Sequence, residues 1–280
     1  MTIFVLIPVF NRLHHTQRVI EALRGQALAG TLCIVVINDG SSDGTAEYLQ
    51  LQNDVVELRG AGNLWWGGAI QKGLDYVTAH RKDEDYVLLL NNDTWFAPNS
   101  VETLIRVSQE AGGAAVGSVI HEEGRGPPLI SIGPKININR LAVWDLLNQL
   151  PLEEQRHPQK IYRVDALSGR GTLYPAVLFK RYGGVHTWLL PHYMADYEIA
   201  MRFGRAGVPL LVSTEAVVFS PPVYGNDVSN MSWWQRYFSI RSSRNIVHGL
   251  MFYLLVGSVM QRITAPLRVL CFGIWRAFSR

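Results

Sequence analysis

The chain has 280 residues, 48% of them hydrophobic and 18% charged, with a formal net charge of +3. That apolar share excludes a disordered chain, and the length admits one large domain with an appendage. The modest charge leaves no nucleic-acid footprint, so no nucleic-acid partner is expected.

The opening MTIFVLIPVFNR is apolar, with no basic residue before the stretch and no small-residue cleavage site after it. It reads as a first strand rather than a signal peptide. Strand-like runs at 3–9, 32–37, 55–58, 86–90 and 115–120 alternate with helix-like stretches at 15–24, 45–51, 68–80 and 100–110. Such alternation predicts an α/β fold built of βαβ units around a mostly parallel, Rossmann-like central sheet flanked by helices. Right-handed crossovers put the loops after these strands on one edge, so Pro8, Asp39 and Asp93 can face a common crevice. Cys33 lies in the second run and Cys271 in the tail, with neither metal spacing nor a disulfide framework. Both read as reduced thiols of a cytosolic protein.

After residue 120, Gly124, Gly126, Pro127, Pro128, Gly133 and Pro134 break the regularity, with short strands near Ile130 and Ile136. This region reads as an excursion over the active-site edge. Order returns at 162–167, followed by the loop SGRGT, a helix-like stretch 173–184, a helix sharing Ile199, Phe203 and Ala206 on one face, and strands at 209–213 and 216–219. The chain then divides into a domain of residues 1–227 and a C-terminal amphipathic helical region of residues 228–280. After Asp227 no acidic residue occurs, while Arg236, Arg241, Arg244, Arg262, Arg268, Arg276 and Arg280 do. The longest apolar stretch there, 246–260, contains His248 and two glycines and falls short of the ~20 residues of a spanning helix. Helices lying in a membrane interface, with arginines at the headgroups, are one reading. Amphipathic helices packed on the domain or on a partner chain are the other.

Three stretches carry chemistry. In VVINDGSSDGT a strand ends on Asn38 and Asp39, and a turn follows in which Asp43 is the expected helix N-cap. An aspartate at a strand end also accepts the N3–H of a uracil or thymine ring. In YVLLLNNDTWF an apolar strand runs into Asn91, Asn92 and Asp93. One carboxylate suffices for Mg²⁺ or Mn²⁺ when phosphate oxygens and water complete the shell, although a turn before the next helix needs the same residues. In HYMADYEIAMR, Asp196, Glu198 and Arg202 open a helix, with Asp196 and Arg202 expected on similar faces. One carboxylate there can take the proton of a sugar hydroxyl as general base.

These stretches, in this order, resemble the family 2 glycosyltransferases of GT-A fold over residues 2 to about 215. LIPVFNR resembles the family's opening strand and loop, VINDGSSDGT its nucleotide motif, LLLNNDTW its metal motif, and GGVHTWLLPHYMADYEIAMR its acceptor-side segment. The resemblance implies that Asp196 is the catalytic base and Asp93 the ligand of a Mg²⁺ or Mn²⁺ cofactor. It implies a nucleoside diphosphate-sugar site of Pro8, Asn11, Asp39, Asn63, Trp65, Trp66, Lys72, Asn92 and Arg170, with Asp39 on the pyrimidine. Trp65 and Trp66 are candidates for stacking on sugar or base, Lys72 and Arg170 for the diphosphate. Gly169, His192, Tyr193, Glu198 and Arg202 are the implied acceptor contacts. The layout, with the tail motif YFSIRSSRN, resembles bacterial rhamnosyltransferase-type members. That implies inverting transfer from a dTDP- or UDP-linked sugar to a glycan or polyprenyl-diphosphate-linked acceptor, in O-antigen or capsule synthesis at the cytoplasmic face of the inner membrane.

The chain departs from the family pattern in places. Ala195 precedes the base where Glu is frequent, Glu198 replaces an Asp, and the metal motif keeps one Asp. Trp65 stands where Gly is usual, and Ile70 and Gln71 where Arg-Asn is common. Two competing classes follow: a non-catalytic carbohydrate-binding relative, and a sugar nucleotidyltransferase, whose Gly-rich basic loop after strand one is missing from IPVFNRLHH.

Overall fold

A computed structural model describes residues 1–123, 129–221 and 228–278. Gly124, Gly126, Pro127, Pro128, the 227/228 boundary and the side chains of Cys271, Arg276 and Arg280 lie outside the described residues. Strands β1 (Thr2–Val9), β2 (Thr31–Asn38), β3 (Val55–Arg59) and β4 (Tyr86–Leu89) run parallel in the order β4-β1-β2-β3. Helices α1 (Leu13–Arg24), α2 (Thr45–Gln50) and α3 (Trp65–His80) connect them.

Alternate side chains of β1 feed two cores. Phe4 and Leu6 join Val35, Ile37, Val87 and Leu89 with Ile70, Leu74 and Val77 of α3. Ile3, Val5 and Ile7 join Val19, Ile20 and Leu23 of α1. Strands covered on both faces have no place for polar side chains, which is why β1, β2 and β4 are nearly continuous apolar runs. Gly73 brings α3 close to the sheet, since a Cβ there would stand 2.9 Å from the Leu6 methyls.

The chain continues through β5 (Trp95–Phe96), α4 (Ser100–Glu110), β6 (Ala115–Glu122), β7 (Leu129–Ser131), β8 (Pro134–Asn137), β9 (Ala142–Asp145), α5 (Leu152–Arg156), β10 (Ile161–Arg163), β11 (Thr172–Pro175), α6 (Val177–Tyr182), α7 (Ala195–Arg205) and β12 (Leu210–Ser220). The main sheet has the order β10-β12-β6-β11-β4-β1-β2-β3, with β12 parallel to β6 and β11 antiparallel between β4 and β6. The fold is α/β, a central mostly parallel sheet flanked by helices. Strands β8 and β9 form a separate hairpin, so the Gly/Pro-rich excursion has structure of its own.

Several local expectations change. Residues 173–184 are not one helix, because Leu173 and Tyr174 pair with Leu88 and Val87 in the sheet before α6 begins. That pairing reaches across more than 80 positions and overrides a local helical pattern. The strand expected at 162–167 is the short edge strand β10. Those expected at 209–213 and 216–219 are one strand, β12, with a bulge between Ser213 and Val217. Gly44, at φ +88°, precedes α2 in place of Asp43. The Asp43 carboxylate accepts from Leu13 N–H at 2.8 Å and Thr45 Oγ1–H at 2.6 Å, tying the starts of α1 and α2 together.

The C-terminal region forms α8 (Trp233–Phe238), α9 (Ile246–Val256) and α10 (Val259–Phe278). Helix α9 buries Phe252, Tyr253 and Val256 against Leu190 and Ala195, beside the start of α7. Trp233, Trp234 and Phe238 of α8, and Met260, Ile263 and Leu267 of α10, are exposed. No helix among the described residues is long and apolar enough to cross a membrane.

Helices α6 and α7 are clasped by Arg202. Its Nε and Nη2 donate to the two oxygens of Glu198 at 2.9 and 3.0 Å. The remaining guanidinium N–H groups reach the carbonyls of Tyr182, Gly183 and Gly184 at the end of α6. The Glu198 side chain is only 4% exposed. This corrects the expectation that Glu198 and Arg202 meet an acceptor: six residues turn a helix by roughly 600°, so Arg202 points away from Asp196. Arg202→Ala should leave Glu198 buried without its partner and cost roughly 3 kcal/mol. A urea titration reads this as a lower midpoint at unchanged slope, and an unmoved midpoint would refute the clasp.

Candidate active site

A cleft of about 1160 Å³ opens at the C-terminal edge of β1, β2 and β4. Pro8, Arg12, Asp39, Trp65, Trp66, Asn91, Asn92, Asp93, Arg170, His192, Tyr193 and Asp196 are among its lining residues. Open parallel sheets hold ligands at this edge. The excursion after β6 contributes Ile130, Ser131, Pro134 and Val143 to the same wall.

Asp39 directly follows β2 and is buried. Its Oδ1 accepts from Gly62 N–H at 2.8 Å, and its Oδ2 from Leu64 and Trp65 N–H at 2.8 and 3.3 Å. The loop wraps so closely that a Cβ on Gly60 would stand 2.4 Å from Asp39 Oδ1. A carboxylate has about four acceptor positions, so three backbone donors leave one for a ligand. The same bonds fix Trp65, at φ +56°, as the first residue of α3. Trp66 then donates from Nε1 to Asn91 Oδ1 at 2.9 Å and lies on Gly169, where a Cβ would stand 2.5 Å from its ring.

Asp93 follows β4 in a turn closed by Thr94 N–H to Asn91 C=O. Its Oδ2 accepts from Arg12 Nη1 at 2.9 Å, while its Oδ1 is buried with no hydrogen-bond partner. Asn92 Nδ2 is buried and unpartnered in the same turn. Orphaned buried polar atoms are rare, and an acceptor and a donor side by side fit a cation and an oxygen ligand. Among the described residues no cluster of three or more His, Cys, Asp or Glu side chains forms a self-sufficient metal site. Phosphate oxygens would therefore have to complete the shell around a cation at Asp93. Arg12 reaches Asp93 because the backbone turns sharply at Asn11 and Arg12, both left-handed at φ +59° and +63°.

Asp196 stands in the first turn of α7. Its Oδ2 accepts from Gly169 N–H at 2.9 Å and its Oδ1 from Tyr197 N–H at 3.0 Å. Burial pushes its carboxyl above the ordinary carboxylate range; the two N–H donors and the Arg170 charge pull the other way without cancelling it. Burial, with His248 nearby, brings His192 down to about 4, so its ring is neutral at pH 7. The His192 Nδ1 is buried and unpartnered, and the ring lies 5.8 Å from that of Trp65.

Not every expected residue lines the cleft. Asn11 is a staple of the loop edge, accepting from Ser42 N–H at 2.9 Å and donating its own N–H to Ser41 Oγ at 2.8 Å. Asn63, Lys72 and Gly169 are also absent from the lining, and Gly169 acts through its bond to Asp196. Glu198 and Arg202 are occupied in the α6–α7 clasp. Arg12, Asn91, Tyr197, Met231, Arg241 and Ser243 line the cleft without having been expected as ligand contacts. For Arg12 and Arg241 the signal was present, in VFNR and YFSIRSSRN.

Comparison with known proteins bears on the family and the fold. No curated protein matches the chain. Among solved structures, GalNAc-T7 with UDP, GalNAc and Mn²⁺ superposes with TM-score 0.64 at 16% identity, covering 79% of this chain and 44% of that one. TarS 1–349 of S. aureus superposes with TM-score 0.55 at 14% identity, covering 79% of this chain and 60% of that one. The chain thus spans about half the length of these neighbours, and the likeness is one of fold. The Glycosyl transferase family 2 profile matches residues 4–163, more than half of the chain, including the strand ends that carry Asp39 and Asp93. The chain belongs to glycosyl transferase family 2 and has the GT-A fold.

Proposed function

We propose that this glycosyltransferase moves a sugar, with inversion, from a dTDP- or UDP-linked donor to a hydroxyl of a glycan or polyprenyl-diphosphate-linked acceptor. The observation that carries the reading is the convergence of Asp39, Asp93 and Asp196 on one cleft, each held by a different element. The remaining acceptor position of Asp39 suits a pyrimidine N3–H, and Trp65 offers a flat face beside it. The UDP and Mn²⁺ bound in GalNAc-T7 support the pyrimidine and cation readings by analogy of fold. Rhamnose is the leading donor sugar by resemblance of the tail motif, and O-antigen or capsule synthesis the corresponding setting.

In this mechanism Asp196 takes the acceptor hydroxyl proton as the acceptor oxygen bonds to the anomeric carbon from the face opposite the diphosphate. The bond from that carbon to the phosphate oxygen breaks, and the nucleoside diphosphate leaves with the electron pair. Asp93, with donor phosphate oxygens, would hold Mg²⁺ or Mn²⁺, which supplies positive charge for the leaving group. Arg12 and Arg170 add fixed positive charge along the same wall. Neutral His192 is suited to hydrogen bonding with the acceptor and not to ion pairing. The exposed Trp233, Trp234 and Phe238, in a region whose described charged side chains are all arginine, support peripheral contact with the cytoplasmic face of the inner membrane.

A thermal-shift panel of UDP, dTDP, GDP and CDP, each with Mn²⁺ and with chelator, tests the donor reading. Stabilisation by UDP and dTDP that weakens with chelator is expected, whereas no shift with any nucleotide would favour a non-catalytic relative.

Asp196→Asn should lower transfer at least 100-fold, the lower bound for losing a general base. In the wild type, kcat/KM should fall with acidity at a pH above the ordinary carboxylate range. The linkage sign is fixed by the raised folded pKa: the stability advantage of protonated Asp196 is full below its unfolded value near 3.9 and is lost as pH rises through the folded value. Asp196→Asn removes a buried charge but keeps one acceptor for two N–H donors, so it should cost no more than about 3 kcal/mol at pH 7. A larger loss of stability would mark Asp196 as structural.

A further inference from the structure

The C-terminal region supplies one wall of the cleft, through Met231, Arg241 and Ser243. That wall lies beyond the residues matched by the family profile. We propose that Arg241 is a diphosphate-binding residue of the active site. The proposal rests on the reading of the cleft as a nucleoside diphosphate-sugar site and extends it to the segment between α8 and α9.

The segment is built to hold Arg241 in place. Ser242 and Asn245 are buried polar residues, each directly following an exposed arginine, Arg241 and Arg244. Ser242 Oγ donates to the Arg236 carbonyl and accepts from Arg244 N–H at 3.1 Å. Asn245 donates to the Ser239 carbonyl at 3.0 Å and accepts from His248 N–H at 3.0 Å, capping α9. With both inward side chains satisfied by local backbone, the outward Arg241 keeps a defined position. Its carbonyl accepts from Tyr193 Oη at 3.5 Å, and its guanidinium lies 5.8 Å from the Trp65 ring centroid. This places the cation in the cleft near the tryptophan that Asp39 fixes.

Charge accounting in the cleft favours an external anion. Asp39 is occupied by three backbone N–H groups, Asp93 by Arg12, and Asp196 by the N–H groups of Gly169 and Tyr197. Among the described residues no carboxylate lies within ion-pair distance of Arg241. A guanidinium presents a planar fork that matches two phosphate oxygens. The diphosphate could come from the sugar donor or from a polyprenyl-diphosphate acceptor, and the two are separable.

The experiment titrates full-length wild type, Arg241→Ala and Arg241→Lys with UDP, uridine and farnesyl diphosphate in the presence of Mg²⁺. For the donor's diphosphate, Arg241→Ala should lose about tenfold in UDP affinity, as for one charged hydrogen-bonding group. Uridine affinity and melting temperature should stay unchanged, and Arg241→Lys should recover part of the loss. For the acceptor's diphosphate, the loss should appear with farnesyl diphosphate and spare UDP. The proposal is overturned if both diphosphates keep wild-type affinity in Arg241→Ala, or if uridine weakens as much as UDP. Wild type that binds none of the three would overturn the nucleotide-donor reading, and this proposal with it.

Discussion

The Asp39 carboxylate, gripping the backbone N–H groups of Gly62, Leu64 and Trp65, is the interaction on which the cleft depends. It fixes where α3 begins, and with it the two tryptophans that open the helix. Trp66 carries that position onward through its bond to Asn91, beside Asp93, and its contact with Gly169. Gly169 in turn holds Asp196. The three carboxylates are thus joined by one chain of contacts rather than placed independently on a common edge. Loops are poor platforms for catalytic geometry unless a supporting shell locks them, and this shell runs through a buried carboxylate and an indole.

The electrostatics follow from what each carboxylate already holds. Backbone donors leave Asp39 one open acceptor position, suited to a neutral N–H of a base. Asp93 keeps one oxygen on Arg12 and leaves the other buried and unpartnered. An incoming cation would bring its own positive charge to a carboxylate already neutralised by Arg12. Donor phosphates arriving with that cation would resolve the conflict by giving Arg12 an alternative partner. Asp196 lies near buried Tyr174, and desolvation raises its carboxyl above the ordinary carboxylate range, as the proposed base role requires.

Much of this was legible in the sequence because its signals were local. Apolar runs ending abruptly on Asn38-Asp39 and Asn91-Asn92-Asp93 marked strand ends, and parallel topology put those ends on one edge. Asp196 was legible as a carboxylate opening a helix in a recognisable segment. Glu198 and Arg202 were misplaced because helix rotation separates Arg202 from Asp196, and because the carbonyls it clasps belong to α6. Strand β11 was hidden for a similar reason: its partners β4 and β6 are distant in sequence. The role of the tail as a cleft wall could not be read from composition, since buried Ser242 and Asn245 look like ordinary loop residues until the chain is folded.

The most direct test of the central claim is a Mn²⁺ titration followed by the electron paramagnetic resonance signal of free Mn²⁺, with and without UDP. The account predicts weak binding to the protein alone, tight binding with UDP present, and loss of the tight site in Asp93→Ala that remains folded. Equal Mn²⁺ binding with and without UDP, or an undiminished site in Asp93→Ala, would contradict it.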